Sequence, residues 1–216
     1  MPKHAAIEAR ETPQTDEKFA ALVQDADIIY LPIELLGPGS RTDPATKLVD
    51  ALQRHGSAFA IGLDLIGGED QALLDQWARR ELSTEDLISR LHLSGTPRER
   101  ENCRGFLGHA TDRSVRFLAL RSPTDVLGAA EEFTAERIIE HFRRHRDKKL
   151  LVLIHRRHLE NDRGVPYFVA QKIKARQLVL DAKPHPSSGS QLLALGGHGG
   201  RLEIVNGAPG AGRDQL

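Results

Sequence analysis

The chain has 216 residues, 39% of them hydrophobic and 28% charged, with a mean hydropathy of -0.39. At roughly 150 residues per domain this is one ordinary soluble domain, rich enough in Leu, Ile and Val to bury a sheet. Thirty Lys and Arg cancel thirty Asp and Glu, so no bulk positive field is available to hold a nucleic-acid backbone or an anionic membrane. One cysteine, Cys103, excludes an internal disulfide and a thiolate zinc cage. The charged start lacks an apolar signal region and a lipobox cysteine, and no run of about 18 apolar residues exists to span a bilayer. These features predict a cytoplasmic address.

In chain order, residues 1–16 read as a polar leader ahead of a domain over 17–183. Phe19, Leu22 and Val23 give a short helical stripe, and Ile28–Leu31 a buried strand. The Gly, Pro and Ser content of 35–42 predicts a loop. Asp43-Pro44 then opens a helix carrying Leu48, Val49 and Leu52, stopped at Gly56. A second strand over Ala58–Leu65 leads to a helix over Glu69–Arg80 with Leu73, Leu74 and Trp77 on one face. Ser83-Thr84-Glu85-Asp86 caps a short helix that ends near Leu93.

Thr96-Pro97 starts a helix through Cys103, Phe106 and Leu107, before a third strand over Val115–Leu120. A helix over Glu131–Arg146 ends in a basic turn that suits the negative end of a helix dipole. Leu150–Ile154 is the strongest strand signal, followed by a helix bearing Tyr167 and Phe168 and a fifth strand over Gln177–Leu180. Residues 184–216 hold eight of the nineteen glycines and read as a linker and flexible Gly-rich tail, in which 191–195 and 201–205 are spaced to pair as a hairpin.

Short, nearly continuous apolar strands alternating with helices predict an α/β fold, a layered, mainly parallel sheet covered by helices on both faces. Ligands of such sheets bind beyond the carboxyl ends of the strands. The loops after those strands carry His155-Arg156-Arg157-His158, Glu34 and Asp64. In a helical turn the two imidazoles lie i, i+3 and can face one object. Imidazole binds metals and takes a proton near neutral pH, and Glu34 and Asp64 would supply the carboxylates that a zinc site needs beside two histidines. Tyr167 is a candidate haem-iron ligand, since tyrosinate serves that purpose in some haem proteins. No phosphate-loop, dinucleotide or nucleophile-elbow pattern is present.

Several of these segments resemble the ChaN-like haem-binding family, grouped with the Tiki, TraB and erythromycin-esterase-like proteins. Asp27–Glu34 is similar to its first strand and Gly-Glu-x-His signature, and Ala60–Asp64 to its Gly-Leu-Glu strand. Phe117–Pro123 resembles its middle strand and turn. Leu151–Leu159 with Gly164-Val165-Pro166 resembles its strand, Gly-x-Gly-His and downstream Gly-Val-Pro. Pro32 and Ile33 stand at the first motif's Gly and Glu, Asp64 at the second motif's Glu, and His155 and Arg157 at the glycines before the last His.

The resemblance implies a crevice that binds haem or another tetrapyrrole without catalysis. His158, with His155 beside it, or one of the two tyrosines, Tyr167 and Tyr30, would lie near the iron, and Arg156 and Arg157 near the propionates. The alternative that it implies is a divergent hydrolase using a divalent transition metal on Glu34, Asp64 and His158, with His155 beside them. A third expectation is a degenerate domain kept for protein interaction. Small molecules are the expected partners, with monomer or homodimer left open.

Overall fold

A computed structural model describes residues 21, 23–37, 43–110, 115–159, 163–182 and 200–206. Phe19, Leu22 and the 191–195 segment lie outside them. The strands are β1 (Ile28–Pro32), β2 (Phe59–Gly67), β3 (Arg116–Arg121), β4 (Lys149–Ile154), β5 (Arg176–Ala182) and β6 (Gly200–Asn206). The helices are α1 (Pro44–Arg54), α2 (Gln71–Ala78), α3 (Thr84–Arg90), α4 (Pro97–Ala110), α5 (Ala129–Arg144) and α6 (Val165–Lys172). Strand order is β3-β2-β4-β1-β5-β6. The first five strands pair in parallel, as a sequence of alternating strands and helices requires. β6 adds an antiparallel edge against β5, from Arg176↔Asn206 to Ala182↔Gly200.

Alternation along each strand sorts side chains onto two cores. Ile29, Leu31, Ile61, Leu63, Leu151 and Leu153 pack with Leu48, Leu74, Leu87 and Phe106 from α1 to α4. Ile28, Tyr30, Leu150, Val152 and Ile154 face Ile138 and Phe142 of α5 and Val169 of α6. The central strands are apolar on both faces because helices cover both. Trp77 is a core residue, its ring 5.1 Å from Phe117 and its indole N–H donating to Thr84 Oγ1 at 3.2 Å. Cys103 is fully buried, and burial pushes its thiol pKa up to about 12, the state of an inert core cysteine.

Element boundaries follow local chemistry. Pro44 opens α1 as its first residue, and Gly56 at φ +65° stops it. The Ser83 hydroxyl caps α3 by accepting the Asp86 N–H at 3.0 Å. The helix expected over Glu131–Arg146 is Ala129–Arg144, because Gly128 at φ +88° is its N-cap and Glu131 is its third residue.

β2 departs most from expectation. Against β3 its register runs Ala60↔Arg116 to Leu63↔Ala119 and resumes at Gly67↔Arg121. Four steps on β2 therefore oppose two on β3, a bulge that begins at Asp64. The Leu65 carbonyl, turned out of the ladder there, accepts both the Ser94 N–H and its hydroxyl at 3.0 Å.

Candidate functional site

The carboxyl ends of β2, β4 and β1 lie side by side in the middle of the sheet. Asp64 sits at the β2 bulge with its side chain buried, and bulges beside functional sites commonly re-aim a side chain. After β4 the chain makes a 3-10 turn, Arg156–His158, in which residues three apart eclipse. His155 and His158 therefore present their rings together, 6.3 Å apart and edge to face.

Both rings address one atom, Asp64 Oδ2: His155 Nδ1 lies 2.7 Å away and His158 Nε2 3.7 Å away. The short contact is a hydrogen bond that raises the His155 pKa above its ordinary value. Burial opposes the shift, and the Asp64 and Glu99 charges add to it. One ligating atom from each of Asp64, His155 and His158 can be chosen so that all three lie within 4.8 Å of one another.

Two glutamates complete the surroundings, and neither was expected from the sequence. Glu131, fully buried, accepts from His158 Nδ1 at 2.9 Å through Oε1 and from the Gly128 N–H through Oε2. Burial works against this carboxylate, but the hydrogen bonds from His158 and Gly128 outweigh it and hold its pKa below the usual range. A carboxylate only accepts, so His158 carries a proton on Nδ1, and its Nε2 faces Asp64. Glu99 sits in the first turn of α4 and closes a reciprocal cap with Thr96, at 2.7 and 3.2 Å. Its Oε1 lies 3.9 Å from His155 Nε2. Thr96-Pro97-Arg98-Glu99 carries the capping-box spacing in plain sequence. Gly128-Ala129-Ala130-Glu131 shows only its return half, because glycine has no hydroxyl to offer.

The remaining expected residues fall in three places. Glu34 occupies the 3-10 turn after β1, exposed, and its carboxylate accepts the Arg156 backbone N–H at 3.2 and 3.3 Å. It thus steadies the histidine turn, and the third donor of the cluster is His155. Arg157 Nε donates to His158 Nε2 at 3.2 Å. Tyr30 is fully buried inside β1, donates to Gln177 Oε1 at 2.6 Å, and has its pKa pushed well above the ordinary value by burial. Tyr167 on α6 is partly exposed and meets Phe168 edge-on at 5.5 Å. Neither tyrosine joins the hydrogen bonds that tie Asp64, His155, His158 and Glu131 together.

No family model matches the chain, and no curated protein does. Among solved structures it is similar to ChaN of Campylobacter jejuni, described in terms of cofacial haem binding, with a TM-score of 0.56, 13% identity and coverage of 88% of this chain and 92% of that one. The shared property is the fold. It is also similar to a MARTX toxin effector domain of Vibrio vulnificus, with a TM-score of 0.53, 14% identity and 90% of this chain covered. The C-terminal region of the Pasteurella multocida toxin gives a TM-score of 0.53 at 12% identity, again over 90% of this chain. The chain spans 38% and 26% of those two toxin structures. No helix among the described residues is long and apolar enough to cross a membrane.

Proposed function

We propose that the crevice binds a divalent transition metal ion through Asp64, His155 and His158, and that it is a metal-dependent hydrolytic site. The observation that carries this is the convergence of one carboxylate and two imidazoles within 4.8 Å. The donor set fits the ion: two nitrogens and an oxygen suit zinc and its neighbours, and three protein ligands leave positions open for a substrate. Glu131 behind His158 supports the same reading, because a carboxylate on the far ring nitrogen fixes the tautomer and strengthens the ligand. When bound, the ion would supply Lewis-acid polarisation of a carbonyl or phosphoryl oxygen.

The test is titration of chelator-treated protein with Zn2+ and Co2+, comparing wild type with His158→Ala and Asp64→Asn. One ion per chain is expected, with affinity falling about tenfold or more in each variant. Non-saturating uptake by wild type would refute the reading.

A second reading is haem binding at the same crevice, favoured by the fold shared with ChaN of Campylobacter jejuni. His158 would then be the axial ligand, and Arg156 and Arg157 would meet the propionates. The groups around His158 Nε2 are Asp64 and Arg157, polar neighbours that suit a small ion better than a porphyrin face. A haemin titration separates the two. A saturable Soret change lost in His158→Ala would favour haem, and weak uptake common to both proteins would leave the metal reading alone.

A further inference from the structure

The His158 Nε2 that lies 3.7 Å from Asp64 Oδ2 is already engaged by a cation. Glu131 is fully buried and holds the Nδ1 proton of His158, and the role of acceptor at Nε2 is fixed by the donor that meets it. Arg157 Nε donates to it at 3.2 Å from the adjacent position in the same turn. A guanidinium close enough to Glu99 to lower its pKa would ordinarily pair with that carboxylate, where two N–H groups meet two oxygens. Here Arg157 Nε instead meets a neutral ring nitrogen in a group that also contains Asp64, His155 and Glu99.

We propose that Arg157 is an internal placeholder for the cation of this crevice, so that its guanidinium and a divalent ion bind His158 Nε2 in competition. The inference rests on the metal reading and concerns how that site is regulated. An ion on Nε2 takes the lone pair on which Arg157 depends, and the two positive charges repel across the same few ångströms. Arg157 must therefore swing out, which it can do because it is exposed. Until then its charge sits on Nε2, which lies 3.7 Å from Asp64 Oδ2. The arrangement lowers affinity for any cation, and it makes loading tighter when something draws the guanidinium away, such as an anionic group arriving with the ligand.

The test compares wild type with Arg157→Gln and Arg157→Lys for Zn2+ affinity, by competition against a chromophoric chelator. A charge-assisted hydrogen bond of ordinary strength corresponds to roughly tenfold or more in affinity. Arg157→Gln is expected to bind Zn2+ at least about tenfold more tightly, and Arg157→Lys to stay near wild type. Equal or weaker binding in Arg157→Gln, with wild type still binding, overturns the placeholder and leaves the metal site standing. No binding by any of the three proteins overturns the metal reading itself. A second measurement needs no metal: in the long-range 1H–15N spectrum of metal-free protein, the His158 Nε2 resonance should move toward the free-imidazole position in Arg157→Gln. An unmoved resonance overturns the proposal.

Discussion

Glu131→Gln removes a single charge and almost no volume, at a position with no exposure to water. The native carboxylate accepts from His158 Nδ1 with one oxygen and from the Gly128 N–H with the other. An amide keeps one acceptor and turns an NH2 group toward whichever donor remains, leaving two donors face to face. Losing a hydrogen bond to a charged acceptor and stranding a buried donor each cost about 1–3 kcal/mol. Partial relaxation of the His158 turn should hold the sum to about 2–3 kcal/mol. For a chain of this length each kcal/mol corresponds to about 2–4 °C in Tm, so a fall of about 5–10 °C is expected. Because the folded Glu131 has a lowered pKa, its contribution is present above the unfolded value and lost as pH falls through the folded one. The gap between wild type and variant should therefore narrow on acidification below about pH 4.5. Urea unfolding at pH 7 and pH 4 measures both effects. A variant within about 0.5 kcal/mol of wild type at pH 7 would refute the account of Glu131 as the carboxylate that fixes His158.

Acid sensitivity should also arise at the far end of α5. His141 is buried with Nε2 unpartnered. Burial, then the nearby His145, Arg116 and Lys148, lowers its pKa from 6.5 to about 4. Between those values the unfolded chain binds more protons, so stability should fall as pH drops from 6.5 to 4, by up to about 2 kcal/mol after solvent screening. His141→Leu should flatten that slope in denaturant titrations across the range, and an unchanged slope would assign it elsewhere. Gly62 on β2 faces Leu120, and a Cβ there would lie 2.3 Å from Leu120 Cδ1. Gly62→Ala should cost about 1–3 kcal/mol, read as a lowered urea midpoint and partly restored by Leu120→Val.

Composition and period sufficed for the sheet and its helical layers. Ile28–Leu31 and Leu150–Ile154 are runs that only a two-sided burial explains, and Asp43-Pro44 and Ser83 through Asp86 carry their helix starts in local chemistry that no distant residue can undo. The same logic made the loops after β1, β2 and β4 the place to look, and His155 and His158 were candidates from their place after the fourth strand, their i, i+3 spacing and, for His158, the family resemblance. What the sequence could not supply was the partner of each group. Glu131 lies 27 residues from His158 and Glu99 56 from His155, and their meeting depends on where α5 and α4 dock on opposite faces of the sheet. Asp64 reaches the cluster at a bulge that shows only against the register of β3. Glu34 and Arg157 carry charges that sequence position made equivalent to the others, yet one anchors a backbone N–H and the other caps a ring nitrogen. Periodicity is written in neighbours along the chain, so it fixes the layers. Pairing across a crevice is set by packing between elements, so only the folded chain decides it.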